Sequence, residues 1–362
     1  MPEPIVVDVA DLPRVTAPVV AGRYRVEPAD FVVEEVFAHP LDDAGEHLWL
    51  WIEKIGLTTH QAIERIAGDC GVPVRQIGFA GLKDRHARTC QWLSLPWPIK
   101  AEMPTWTVAD DLIVHEMRRH GRKLKRGAHT ANRFSIRLRD ISYRAGADVG
   151  ETLAGLATRI ARQGVPNYFG EQRFGRQGTN VEMARQVFAG KRLPRNKRSI
   201  ALSAARSFLF NQVLAARVSE GTWARALAGD VFMLAGTHSV FAGHATDETL
   251  EALAERVASG DIAPTGPMPG QLGPRAVVPA PPAADHEQTI NRTYPDLIDG
   301  LVAARVDAER RALILAVDDF QLAQADDDLI VSFGLPAGAF ATSVLRELGD
   351  FVDAVRVERV SP

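Results

Sequence analysis

The chain has 362 residues, 46% of them apolar and 24% charged, with a formal net charge of −3. That make-up suits a globular protein of two or three domains with a sizeable core, and it excludes wholesale disorder. Two cysteines, Cys70 and Cys90, are too few for a disulfide framework or a zinc site, and with no leader-like N-terminus and no membrane-length apolar run a cytoplasmic protein is expected.

From Tyr24 to Glu35 the sequence reads as strand, interrupted at Pro28. In Glu46–Glu53, Leu48, Leu50 and Ile52 alternate with Trp49, Trp51 and Glu53, the pattern of a sheet strand. Thr58 and Gln61 have the spacing of a capping box. The helix they open has an apolar face of Ala62, Ile63, Ile66, Ala67 and Cys70, and Gly71 ends it. A glycine-containing turn from Gly78 leads to a strand over Gln91–Leu95, and Pro96, Pro98 and Pro104 break regular structure after it. A basic segment then runs into a strand over Phe134–Arg139, with Phe134, Ile136 and Leu138 on one face.

Helices are predicted over Asp148–Arg162, Ser203–Val218, Thr246–Val257, Pro295–Arg311 and Gly338–Leu348. Val231–Gly243 reads as a hairpin around Gly236 and Thr237, and Leu329–Leu335 as a strand. Asp261–Asp285, rich in proline and glycine, reads as a long loop or an extended crossing. Strands and helices mix without regular βαβ alternation, so the predicted class is α+β.

The charge is segregated. Basic residues cluster at Arg118, Arg119, Arg122, Lys123, Lys125 and Arg126, and again at Lys191, Arg192, Arg195, Lys197 and Arg198. Acids collect at Asp318–Asp319 and Asp326–Asp328. Such a surface binds a polyanion on one face even when the sum is slightly negative, although solvated loops with no partner have the same composition.

Metals and nucleotides find no motif. His115, His120 and His129 lie in the basic segment, where cations repel a metal. No glycine loop opens a helix as a phosphate cradle does, and Gly-x-Ser-x-Gly is absent. With no metal and no cofactor expected, any chemistry falls to side chains.

Two segments stand out. In Gly78-Phe79-Ala80-Gly81-Leu82-Lys83-Asp84-Arg85-His86-Ala87 one carboxylate, Asp84, lies between two cations after a pair of glycines. Flanking cations favour the charged form of an acid, and they also meet phosphates. An ordinary turn aspartate is the plain alternative. The second segment, Gly164–Gly175, gathers Tyr168, Phe169, Phe174 and Arg173 among glycines. Aromatic and guanidinium planes stack on bases, and glycine admits a close backbone approach; a buried turn with core aromatics fits the same residues.

Together these segments resemble the TruD family of pseudouridine synthases. Gly78–Ala87 is similar to its nucleophile motif and Val165–Gly175 to its second signature. Arg195-Asn196-Lys197-Arg198 with Leu202–Ser207 is similar to a third, and Leu335–Leu348 to a fourth. The resemblance runs in order from Arg23 to Leu348. It implies a catalytic pseudouridine-synthase domain with a mixed, largely antiparallel sheet, formed by residues 1–163 and 317–362, and an inserted α/β domain over 164–316.

The implied reaction isomerises uridine in tRNA, typically at position 13, to pseudouridine. Asp84 is the implied essential carboxylate, as nucleophile or as base. The target base must leave its stack to be reached. By resemblance Phe31, Asn132 and Phe340 contact the substrate: Asn reads a uracil edge, and Phe stacks or walls the pocket. Phe31 beside Val32 and Val33 also reads as core, and Phe134 as half core, half pocket wall. Lys83, Arg85, Arg122, Lys123, Arg173 and Lys197 are the candidates for the RNA backbone, and Glu34 is a candidate partner for Lys83. A monomer acting on tRNA, without membrane or metal, is expected. The rival readings are an RNA-binding module without turnover and a hydrolase using Asp84 with a second acid.

Overall fold

The computed structural model describes residues 5–38, 41–105, 109–144, 149–175 and 178–355. The chain divides into two compact units. One comprises Pro18–Ala161, Val317–Ala341 and Leu348–Pro362; the other comprises Met1–Ala17, Arg162–Ala316 and Thr342–Glu347.

The first unit is built on a 10-stranded sheet. Its strands are β1 (Val20–Tyr24), β2 (Phe31–Val36), β3 (His47–Ile55), β4 (Gly78–Phe79), β5 (Arg88–Pro96), β6 (Leu112–His120) and β7 (Ala131–Tyr143). Asp318–Ala325, Asp328–Pro336 and Asp350–Asp353 complete it. The pairs β1 with Asp350–Asp353 and β2 with β5 are parallel, and the others are antiparallel. The sheet is thus mixed and largely antiparallel, and the class is α+β.

Alternation along β3 decides where the core lies. Leu48, Leu50 and Ile52 are fully buried and pack with Ala62, Ile63, Ile66 and Ala67 of α1 (Thr59–Cys70). Each large apolar side chain so buried contributes about 1.5–3 kcal/mol. The predicted capping box is formed: Gln61 N donates to Thr58 Oγ1 at 3.2 Å, and Thr58 N to Gln61 Oε1 at 2.9 Å. Gly71 ends the helix in the left-handed region, at φ 66°, where a Cβ is disfavoured. β2 buries Phe31, Val33 and Glu35, and β7 buries Asn132, Phe134, Ile136 and Leu138. The register sets Val33 opposite Phe134 and Glu35 opposite Asn132.

In the second unit the long helix is Arg195–Ser219, two turns longer at its start than predicted. The hairpin forms from Val231–Leu234 and Val240–Ala242. One expectation is sharpened here and another is corrected. Of the two readings for Asp261–Asp285, a loop or an extended crossing, its first part takes the second: the strand Ile262–Met268 pairs with Val231–Leu234 on one side and Glu309–Ala312 on the other. Pro264 and Pro267 disguise it, because proline supplies no ladder donor; Pro264 O still accepts from Leu313 N at 2.8 Å. The helix predicted over Pro295–Arg311 stops at Ala303, Arg305 turns left-handed at φ 55°, and the chain continues as the strand Glu309–Ala312. The predicted start at Asp148 lies outside the described residues; the helix there is Val149–Gln163.

Candidate active site

Asp84 lies in the loop between β4 and β5, with its side chain 52% exposed. Three neighbours fix that loop. Lys54, on β3, is fully buried and donates from Nζ to the backbone oxygens of Asp84, at 2.7 Å, and Leu57, at 2.6 Å. Burial pushes its ammonium down to about 8, against the pull of Asp84. Thr59, the first residue of α1, accepts from Lys83 N at 2.9 Å. Its hydroxyl donates to Gln91 Oε1 at 3.0 Å, and Gln91 Nε2 donates to Gly81 O at 3.2 Å.

The carboxylate itself is held by Arg25, whose Nη2 donates to Asp84 Oδ2 at 2.6 Å. The guanidinium lies 4.1 Å above the Phe31 ring, and its Nη1 reaches Asp353 Oδ2 at 3.4 Å. Neither flanking cation serves this acid. Arg85 is exposed and donates from Nε to Gly56 O at 3.1 Å. Lys83 turns inward with its side chain only 6% exposed; its Nζ sits 2.9 Å from Glu35 Oε1 and donates to Asn132 Oδ1 at 2.8 Å.

Glu35, not Glu34, is therefore the partner of Lys83. The reason is the alternation of β2, which turns residues 31, 33 and 35 inward. Burial pushes the Glu35 carboxyl up, and Lys83 draws it part of the way back. The space beside this pair is tight. A Cβ at Gly81 would meet His129 Cε1 at 3.1 Å and Glu35 Oε1 at 3.5 Å. Burial and the nearby Lys83 charge hold the His129 imidazole at about 4, so it is neutral at pH 7.

Of the expected substrate contacts, Asn132 is buried, with its oxygen engaged by Lys83. Phe31 is 2% exposed, edge-to-face with Phe134 at 6.2 Å. Phe340 is half-buried, next to the turn at Ala337–Gly338.

A half-exposed loop acid is thus held by an arginine, and the lysine that precedes it in the chain engages a buried acid and a buried amide. The sequence model of tRNA pseudouridine synthase D (TruD) matches residues 14–191 and 184–348. The chain belongs to the TruD family. tRNA pseudouridine synthase D of Chromohalobacter salexigens is 47% identical over 337 residues, covering 91% of this chain and 93% of that protein. The Ectopseudomonas mendocina protein of the same name is 47% identical over 337 residues, covering 91% and 92%. A crystal structure of a TruD from Methanosarcina mazei superposes with a TM-score of 0.74 over 93% of this chain and 95% of that one; at 20% identity it attests the fold. TruD enzymes are isomerases that convert uridine in tRNA to pseudouridine, and this chain is one of them.

Sequence reasoning missed Arg25, Glu35, Lys54, Thr59 and Gln91 around Asp84. Only Glu35 carried a signal, the parity it shares with Phe31. Among the remaining expected RNA-backbone cations, Arg122, Lys123 and Lys197 are exposed. Lys123 Nζ donates to Arg75 O at 3.0 Å. Arg173, in the second unit, is half-buried and donates to Ser203 Oγ at 3.0 Å.

Elsewhere in the first unit, Glu53, Cys90 and His115 bring possible ligand atoms within 4.8 Å of one another, a cluster that their spacing in sequence hides. It is a poor fit for an ion. Arg88 Nη2 already donates to Glu53 Oε2 at 2.9 Å, and burial, with Glu53 beside it, pushes the Cys90 thiol up to about 12, whereas a metal binds the thiolate. A cleft of about 280 Å³ is lined by Glu35, Phe37, Leu41, Trp51, Trp92, Glu116 and Arg118, and not by Asp84.

Proposed function

We propose that this chain isomerises uridine at position 13 of tRNA and that Asp84 is the carboxylate that reacts. The observation that carries the reading is the arrangement at Asp84. Arg25 takes Oδ2, and Oδ1 has no hydrogen-bond partner among the described residues and belongs to a half-exposed side chain. Oδ1 is then the atom that attacks the nucleoside or takes a ribose proton.

The bond from ribose C1′ to base N1 breaks, the base turns, and C1′ joins C5. C5 gives up a proton and N1 gains one. Substrate and product have the same composition, so the rearrangement calls for no oxidant, reductant or cofactor, and none of its steps needs a metal. Because Lys83 occupies Asn132 Oδ1, the amide NH2 is the group left to donate to a uracil carbonyl. Phe340 supplies a wall for the everted base. Phe31 acts from below, since the face that Arg25 covers is closed to a base.

The unit that carries Asp84 is the catalytic domain in this reading, and the inserted residues 164–316, which make up most of the other unit, serve RNA binding. The enzyme acts as a monomer, and its tRNA substrate places it in the cytoplasm. Among the described residues no helix is long and apolar enough to cross a membrane. Incubating the protein with unmodified tRNA and assaying pseudouridine tests the reading. Asp84→Asn is expected to abolish product while tRNA still binds; full turnover by that variant refutes the assignment.

A further inference from the structure

Arg173 and Arg311 place their guanidinium carbons over one ring, that of Phe169, at 5.2 and 4.1 Å from its centroid. The ring is rigidly held. Phe169 N donates to Asn211 Oδ1 at 2.9 Å, Asn211 Nδ2 donates back to Phe169 O at 3.0 Å, and Phe210 packs edge-on at 5.6 Å. Arg311 Nη2 donates to Asn167 Oδ1, and Asn167 Nδ2 donates to Ala312 O at 2.9 Å. Arg173 Nη1 donates to Ser203 Oγ at 3.0 Å.

Every one of these acceptors is neutral. Among the described residues neither arginine has a carboxylate partner, although both are half-buried. Burial lowers both guanidinium groups, Arg311 to about 10, and Arg173 adds its own repulsion there. Arg173 Nε is buried with no hydrogen-bond partner among the described residues. Two neighbouring half-buried cations without an anion carry an uncompensated desolvation cost. Stacking on Phe169 offsets part of that cost, and it leaves the free edges of both forks undischarged. Arg311 Nη1, Arg173 Nε and Arg173 Nη2 make no hydrogen bond among the described residues.

The geometry of a guanidinium fork matches phosphate. The surroundings continue the same sign of charge. Ser203 lies on the helix Arg195–Ser219, where Ser199 and Arg195 come one and two turns earlier, and Lys197 and Arg198 are exposed at the same helix start. We propose that Arg173 and Arg311, braced on Phe169 by Ser203 and Asn167, form a clamp for one phosphodiester of the RNA substrate. The clamp lies in the inserted unit and contributes to holding the RNA, not to the reaction at Asp84. This inference rests on the reading of the chain as a tRNA-modifying enzyme.

The test measures tRNA affinity against salt for wild type, Arg173→Gln, Arg311→Gln and Arg311→Lys, with melting temperatures to confirm folding. Arg256→Gln is the control, because that charge is already met by Glu248 and Asp261. Removing a phosphate contact reduces the slope of log K against log salt by about 0.7–0.9. Each Gln variant is expected to show that reduction together with a raised KM, Arg311→Lys to keep the slope while losing part of the affinity, and the control to match wild type. A folded Gln variant with wild-type slope and affinity overturns the clamp. If Arg311→Gln does not fold, Arg173→Gln decides alone. Inorganic phosphate is titrated in parallel while the arginine Nε–H resonances are followed. Phosphate binding at the two arginines with tRNA affinity unchanged in the variants assigns the site to a small anion and overturns the RNA proposal. Wild type that binds tRNA with no salt dependence contradicts the RNA reading itself, a result distinct from failure of the clamp.

Discussion

Arg25 and Asp84, 59 positions apart in the chain, meet through one short hydrogen bond, Nη2 to Oδ2 at 2.6 Å. Arg25 pays for its placement in backbone geometry: its φ is 59°, in the left-handed region that a residue with a Cβ avoids. Such a backbone costs on the order of 1–3 kcal/mol and persists where surrounding contacts determine it. Here those contacts are the Phe31 ring, Asp353 and Asp84 itself. The acid is thus aimed by a residue whose own position is fixed from three sides.

Removing that aim should slow the reaction more than it loosens the fold. A hydrogen bond to a charged group contributes about 1.5–3 kcal/mol, so Arg25→Met is expected to lower the single-turnover rate of pseudouridine formation roughly 10- to 100-fold. Arg25→Lys should recover part of the rate, since a lysine reaches the carboxylate but cannot lie flat on Phe31. A Met variant with the wild-type rate would show that Arg25 does not orient Asp84.

The buried pair Lys83–Glu35 carries a different prediction. Its side chains are 6% and 0% exposed. Glu35→Gln leaves the ammonium uncompensated, and breaking a buried pair from one side costs about 3–5 kcal/mol. The double variant Glu35→Leu with Lys83→Met should regain most of that stability in urea unfolding. It should remain poorly active, because Asn132 Oδ1 has lost the donor that orients it. Equal stability of the single and double variants would sink the idea.

Local pattern made some of this legible and distance hid the rest. The capping box at Thr58 and the alternation of β3 are set within a few residues, and both form as the sequence predicts. The loop of Asp84 is visible because its glycines and charges are contiguous. Arg25, Lys54 and Gln91 reach that loop through sheet pairing, which no short window encodes. The choice between Glu34 and Glu35 was open to parity, since Phe31 and Val33 already mark the inward face. The strand Ile262–Met268 was hidden by its prolines, which remove donors without removing the extended backbone.

Lys54 gives the pH prediction. Burial holds its folded pKa at about 8, against 10.5 for a free lysine. Between those values the unfolded chain binds the extra proton, so raising the pH favours the folded form. The contribution is fully present above 10.5, fades as the pH falls toward 8, and amounts to on the order of 3 kcal/mol. Lys54→Met removes the titrating group, so stability measured by urea unfolding should climb less steeply between pH 8 and 10.5 than in wild type. The same variant removes the donor to Asp84 O, and its turnover at pH 7 should fall while tRNA affinity holds. Parallel stability curves for the two proteins across that alkaline range would mean that Lys54 keeps its ordinary basicity, and unchanged turnover would mean that the Asp84 loop is held without it.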